Sequence, residues 1–170
     1  LKNNQNLQFG WLSIYSATTD DDVRNGLKDF VNCYADWIKT TGKHIDDDQA
    51  KENLSKCQSD LDRMIANIDG ILNKEENMQC FRLMNAAMFM QLWHKNTNDK
   101  ESVRNTKITK DFYSTIYSST TEQPAWRPFQ LAFILLNLDG IIQHPDDDGW
   151  TKRNEYVDLV WFPTGGGKTE

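Results

Sequence analysis

Residues 162–169 read Phe-Pro-Thr-Gly-Gly-Gly-Lys-Thr, and this stretch decides the predicted fold. Its three successive glycines leave backbone N–H groups open to the oxygens of a nucleotide triphosphate. Lys168 would place a positive charge on the β- and γ-phosphates, and the Thr169 hydroxyl would ligate a bridging Mg²⁺. Both are candidate catalytic residues. The predicted phosphate-binding loop comprises Thr164, Gly165, Gly166, Gly167, Lys168 and Thr169.

A strand is predicted immediately before this loop. Residues 156–162 are rich in β-branched and aromatic side chains with one interior charge, Asp158, and Pro163 ends the run. The pattern G-x-x-x-x-G-K-[ST] fails at its first position, where Phe162 stands, whereas the variant P-T-G-x-G-K-T is complete. A glycine-rich turn with an incidental lysine is the open alternative, because the helix that would hold the phosphates has scarcely begun at Glu170.

A second motif lies upstream, where residues 126–130 read Trp-Arg-Pro-Phe-Gln just before an apolar helical run. By itself this segment favours the start of a helix. Pro128 would take the first helical position, and Gln130 would serve as a cap.

The two motifs together resemble the superfamily 2 helicases and translocases, in which an R-P-(aromatic)-Q segment precedes the phosphate loop. The resemblance implies that ATP is the nucleotide, that Gln130 reads the adenine edge, and that Arg127 or Phe129 borders the base. The spacing departs from the family, because 38 positions separate Gln130 from Lys168. The surplus looks like an acidic surface insertion at 143–149.

Within that superfamily, the sequences of residues 81–88, 127–138 and 157–170 resemble the large helicase of the bacterial anti-phage systems called DISARM. The resemblance implies that the chain is the amino-terminal part of an ATP-dependent helicase that acts on nucleic acid, with DNA the expected type. It also implies a companion defence protein as a partner. The acids that would orient the attacking water are expected after Glu170, so these 170 residues alone are not expected to hydrolyse ATP. Two alternatives stay open: a non-enzymatic helical module that docks another protein, and a P-loop NTPase of another kind.

The charge balance speaks against this chain as the main nucleic-acid surface. It carries 25 acidic and 19 basic side chains, a net charge of -6, whereas neutralising phosphates needs clustered Lys and Arg. Aspartate triplets at 20–22, 46–48 and 146–148 fall near predicted element boundaries, which favours helix starts or solvated loops over Ca²⁺ sites. No apolar run is long enough for a membrane span, so a cytoplasmic protein without membrane contact is expected.

The cysteines and histidines predict no metal site. Cys33, Cys57 and Cys80 are odd in number and have no paired spacing, so they are interpreted as small buried hydrophobes. The three histidines are equally scattered along the sequence.

Apolar periodicity predicts helices over about 20–40, 46–73, 76–94 and 128–138. Thr18 or Thr19 would cap the first, and Asp46 with Gln49 resembles a capping box for the second. The first two are expected to form an antiparallel hairpin. The third is apolar around most of its circumference, which predicts that it is the buried centre of a bundle.

The predicted domains are a helical bundle at 1–95, a polar linker with one short helix at 96–124, and the start of a RecA-like motor domain at 125–170. The predicted fold class is therefore mainly α, an amino-terminal helical bundle followed by the helix, strand and phosphate loop that open an α/β P-loop motor. The linker is interpreted as solvated, with contact to a nucleic-acid backbone as the alternative. Its basic residues are Lys95, Lys100, Arg104, Lys107 and Lys110.

Overall fold

The described part of the chain is helical. A computed structural model describes residues 5–96, 109–119 and 123–142, and the regular elements in these ranges are helices, together with one antiparallel bridge between Gln8 and Ala125. This confirms the mainly α part of the predicted fold class, while the predicted strand and phosphate loop lie outside the described residues. The elements are a 3₁₀ turn (Gln5–Leu7), α1 (Phe9–Leu12), α2 (Asp20–Gly42), α3 (Asp48–Ala66), a π-helical segment (Asn67–Ile71), α4 (Glu75–Asn96), α5 (Lys110–Ser119) and α6 (Pro128–Ile142).

Helix α2 is capped at its start by Thr19, one of the two predicted caps, and Thr19 forms a capping box with Asp22. The Thr19 hydroxyl oxygen accepts from the Asp22 backbone N–H at 3.1 Å, and the Asp22 carboxylate accepts from the Thr19 backbone N–H at 2.8 Å. The Thr19 hydroxyl also lies 2.7 Å from that carboxylate, and this contact lowers the pKa of Asp22 below its ordinary value. Two backbone donors that a helix start leaves open are therefore satisfied locally.

Helix α3 begins at Asp48, and its cap lies one residue later than the sequence predicted. Its cap is Asp47, whose carboxylate accepts from the backbone N–H groups of Gln49 at 3.2 Å and Ala50 at 3.4 Å. The predicted cap at Asp46 is wrong, because a cap must stand directly before the first helical residue, which is Asp48.

Helices α2 and α3 form the predicted antiparallel hairpin. Lys28, near the start of α2, pairs with Asp69 just beyond the end of α3, and the Arg24 guanidinium donates to the Leu72 carbonyl at 3.3 Å. The facing sides are apolar and buried. Their buried hydrophobic side chains are Val23, Leu27, Phe30, Val31 and Ile38 from α2, with Leu61 and Met64 from α3.

The single helix predicted over 46–73 changes its winding after Ala66. Residues Asn67–Ile71 form a π-helical turn, closed by a hydrogen bond from the Leu72 N–H to the Asn67 carbonyl at 3.0 Å. A π turn inserts one extra residue and rotates the side chains that follow. The rotation coincides with a burial change, since Ile68, Ile71 and Leu72 all enter the core.

Helix α4 is central on one side only. Met78, Phe81, Asn85, Phe89 and their buried neighbours face α1 and α5, but Cys80 and Ala87 are exposed and Leu83 is 47% exposed. The prediction that this helix is the buried centre of the bundle therefore holds for one side of α4, and its other side is exposed. An apolar circumference shows what a helix can bury, and the number of packed neighbours decides what it does bury.

The cysteines are less buried than the sequence predicted. Cys33 and Cys80 are exposed and Cys57 is half-buried. Cys33 and Cys80 each stand two residues beyond a buried side chain, Val31 and Met78 respectively. Two residues turn a helix by about 200°, which carries each thiol to the outer face.

Helix α5 is the short helix predicted around 112–117. Tyr113 is buried against Phe89 of α4 with ring centroids 5.0 Å apart, and Phe112 meets Trp93 edge-on at 5.6 Å. Burial raises the pKa of Tyr113 to about 12. Burial and the contact with Cys57 raise the pKa of Tyr34 as well.

Removing the α2 cap should weaken the bundle by a modest, local amount. Thr19→Ala deletes the hydroxyl that satisfies the Asp22 N–H, and the loss of such a cap typically costs about 1 kcal/mol. Urea unfolding measures the free energy of unfolding, with Thr40→Ala, at an exposed position of the same helix, as the matched control. Equal stability of Thr19→Ala and Thr40→Ala would contradict the cap.

Alkaline pH should destabilise the fold through Tyr113. Its pKa is raised in the folded state to about 12, so the neutral phenol contributes its full stability below the unfolded value of about 10. That contribution is lost as the pH rises from about 10 toward 12. Denaturant unfolding at a series of pH values should show a smaller alkaline loss for Tyr113→Phe than for wild type. Thr19→Ala, which changes no phenol, should keep the full loss, and an unchanged pH slope in Tyr113→Phe would refute this role.

Candidate functional site

The segment Arg127–Gln130 lies at the amino-terminal end of α6. Pro128 is the first helical residue, and the Gln130 side-chain oxygen accepts from the Arg127 backbone N–H at 2.9 Å. This is the reciprocal half of a capping box, and it is the geometry that the segment by itself favours. Arg127 is exposed, while Phe129 and Gln130 are half-buried. The structure thus brings all three predicted base-contacting residues to one helix end, and their contact with adenine stays a prediction.

The residues just before this segment pair with the start of the chain. The Phe9 N–H donates to the Pro124 carbonyl at 3.0 Å, and the Trp126 N–H donates to the Leu7 carbonyl at 2.8 Å. These two bonds flank the antiparallel bridge between Gln8 and Ala125. The backbone that leads into Arg127 is therefore fixed by a short two-stranded contact.

Trp126 is the side chain that anchors this contact in the core. Its indole N–H donates to the Asn85 side-chain oxygen of α4 at 2.8 Å, and its ring meets Phe9 edge-on with centroids 4.7 Å apart. The Asn85 amide nitrogen donates in turn to the Phe81 carbonyl at 2.8 Å. Both partners are buried. A buried indole N–H needs such an acceptor, and the Asn85 amide needs both its donor and its acceptor satisfied.

Sequence reasoning missed the Asn85–Trp126 pair. The signal available was an asparagine inside a helix whose apolar residues surround most of its circumference. A polar residue in such a place calls for a specific buried partner. Nothing in the sequence indicated that the partner stands 41 positions away.

The body of α6 packs onto the π-helical segment. Leu131, Leu135 and Leu138 are buried, and the Asn67 amide donates to the Leu135 carbonyl at 2.8 Å. The buried Asp139 carboxylate accepts from its neighbour, the Gly140 N–H, at 2.9 Å. Helix α6 is therefore attached to the π-helical segment along its body, and to α4 and residues 7–9 through Trp126 at its start.

The loop between α1 and α2 is held by the buried guanidinium of Arg82 in α4. One of its nitrogens donates to the carbonyls of Thr18 at 2.7 Å and Ser13 at 2.9 Å and to the Ser16 hydroxyl at 3.1 Å. Another pairs with Asp20. Because these contacts employ the guanidinium internally, Arg82 has a structural role in this arrangement rather than the role of an anion-binding residue.

The remaining predicted site residues lie outside the described residues. They are Thr164, Gly165, Gly166, Gly167, Lys168 and Thr169, with Lys100, Arg104 and Lys107 of the predicted linker. Lys95 and Lys110 are described and exposed. Within the described ranges no three His, Cys, Asp or Glu side chains form a group that could hold a metal ion, and no helix there is both long and apolar enough to cross a membrane.

No protein-family model matches the chain. The chain is similar to DISARM protein DrmA of Bacillus paralicheniformis, with 37% identity over 170 aligned residues that include 95% of this chain. It spans 14% of the length of that relative. The similarity supports a DISARM-related protein.

Proposed function

We propose that this chain is the amino-terminal part of an ATP-dependent helicase or translocase that acts on DNA in anti-phage defence. The observation that carries the proposal is the similarity to a DISARM protein over 95% of the chain. The two nucleotide motifs of the sequence support the same proposal. The clustering of Arg127, Phe129 and Gln130 at one helix end supports it, because a base must be met by neighbouring side chains.

Gln130 would read adenine through its side-chain amide. An amide offers one donor group and one acceptor, which match the N7 acceptor and N6 donor of adenine. The Gln130 oxygen already accepts from the Arg127 N–H at 2.9 Å, which orients the amide plane. A carbonyl oxygen has a second lone pair, so the capping bond and a bond from adenine N6 are compatible.

The phosphates would lie on residues 164–169. Glycine N–H groups would surround the β- and γ-phosphates, Lys168 would neutralise charge that develops on the transferred phosphoryl group, and Thr169 would hold Mg²⁺. Hydrolysis in the intact protein would then drive movement along DNA. The net charge of -6 suggests that the main basic surface for DNA lies elsewhere in the parent protein.

A non-enzymatic docking module is the second candidate, and the uncovered side of α4 favours it. Cys80, Leu83 and Ala87 form an exposed stripe without charge, although Glu76 and Lys95 lie near its two ends. Such a stripe suits protein contact. The two functions are compatible, because a motor protein can carry its companion on an amino-terminal bundle.

Lys168→Ala in the intact parent protein should abolish ATP hydrolysis, because the substitution removes the positive charge that would neutralise the phosphates. The residues of the helical bundle are unchanged. Phosphate release measures turnover, and circular dichroism checks the fold. The matched control is Lys39→Ala, at an exposed position of α2, which should keep wild-type turnover. Turnover of Lys168→Ala equal to wild type would remove Lys168 from the proposed role.

Gln130→Glu separates the capping role from adenine reading. Glutamate keeps an oxygen for the Arg127 N–H but lacks the amide donor for adenine N7. We expect the preference for ATP over GTP in the intact protein to fall about tenfold, roughly the worth of one hydrogen bond, about 1.4 kcal/mol. Steady-state KM values for both nucleotides measure it. If Gln130→Glu keeps the preference while Gln130→Ala loses stability, capping is the whole role of Gln130.

A further inference from the structure

We propose that Asn85 is a positioning residue for nucleotide recognition: through Trp126 it sets the location of the adenine-reading segment Arg127–Gln130. The inference rests on the proposed function, since it concerns the same nucleotide site. The helical bundle would thereby set the position of that segment. Asn85 would do so without contacting the nucleotide itself.

The first step is the rigidity of Trp126, which immediately precedes Arg127. Its backbone N–H is bound to the Leu7 carbonyl at 2.8 Å, its indole N–H to Asn85 at 2.8 Å, and its ring packs edge-on against Phe9. The first attachment holds the backbone of Trp126, and the other two hold its side chain. Together they restrict translation and rotation of the residue that leads into the segment.

The second step is that the Asn85 side chain is held in one orientation. Its amide nitrogen donates to the Phe81 carbonyl one turn earlier in α4 at 2.8 Å, which fixes the amide orientation with the oxygen toward Trp126. The residue is fully buried. If Trp126 moved away, a buried donor and a buried acceptor would both lose their partners, an arrangement that proteins avoid.

The third step is the frame that carries Asn85 and Phe9. Arg82, three residues before Asn85, binds the carbonyls of Ser13 and Thr18 and pairs with Asp20. The Ile14 N–H also donates to the Arg82 carbonyl at 3.2 Å. Helix α4 and the chain that follows α1 are therefore connected by hydrogen bonds. Asn85 and Phe9, the two side chains that contact Trp126, belong to this connected part of the bundle.

A displaced Trp126 should affect the recognition of adenine more than the binding of the phosphates. Gln130 is four residues after Trp126, and a hydrogen bond tolerates only a few tenths of an ångström before it weakens. The phosphate-binding stretch at 164–169 is a separate part of the sequence. Loosening Trp126 should therefore weaken base recognition while the chemical step at the phosphates continues. Trp126 is 6% exposed, so its ring is not a free platform for stacking the base.

The test uses the intact parent protein and two variants that cut the same bond. Trp126→Phe keeps an aromatic ring and removes the indole N–H, and Asn85→Leu replaces the amide with an apolar group of similar size. Each should raise KM for ATP by about three- to tenfold, the size of one lost hydrogen bond, with kcat within about twofold of wild type. The preference for ATP over GTP should fall in parallel. The double variant should be no worse than either single variant, because both remove one interaction.

The matched control is Thr19→Ala, which destabilises the bundle at a site remote in sequence from the segment. It should lower Tm without changing KM or the nucleotide preference. If Trp126→Phe and Asn85→Leu likewise lower Tm but leave both kinetic readouts at wild-type values, Asn85 is structural only. Trp126→Phe carries the test alone if Asn85→Leu does not accumulate as folded protein.

Gln130→Glu distinguishes failure of this inference from failure of the proposed function. If Gln130→Glu loses the preference for ATP while the two Asn85–Trp126 variants keep it, adenine reading is supported and the positioning role is refuted. If Gln130→Glu also keeps the preference, adenine reading fails, and the role of Asn85 falls with it.

Discussion

The hydrogen bond between the Trp126 indole and the Asn85 amide joins two parts of the chain that lie far apart in the sequence. Asn85 lies at the centre of α4, and Trp126 stands directly before α6, 41 positions later. Both groups are buried, so each would lose its hydration on folding without this partner. The bond therefore makes the placement of α6 specific, whereas its leucines alone would tolerate several ways of packing.

Arg82 plays the corresponding part for the loop before α2. A buried guanidinium is costly unless its N–H groups find acceptors, and here two carbonyls, two hydroxyls and the Asp20 carboxylate supply them. The loop residues Ser13 to Thr18 lack a regular helix of their own, so Arg82 gives their carbonyls a partner. Asn85 and Arg82 lie one turn apart on α4, which makes this stretch of helix the organising element of the bundle.

The outer side of the same helix has the opposite character. Leu83 is 47% exposed and its neighbours Cys80 and Ala87 are uncharged, so α4 buries polar anchors inward and presents an apolar stripe outward. In the part of the chain that the structure describes, the helices packed on α4 cover its inner side and leave Leu83 exposed.

The sequence by itself determined the local features of this protein: a cap at Thr18 or Thr19, the antiparallel hairpin, the short helix around Tyr113 and a helix start at Pro128. These follow from periodicity and capping, which act within one or two helical turns. The phosphate loop is also a sequence prediction, and its residues lie outside the described ranges. Only the tertiary structure decided the π turn at Asn67, the exposure of Leu83 and the partnership of Asn85 with Trp126. Each depends on which faces meet across dozens of residues, and burial of a polar group is settled by its spatial partner, which no local pattern encodes.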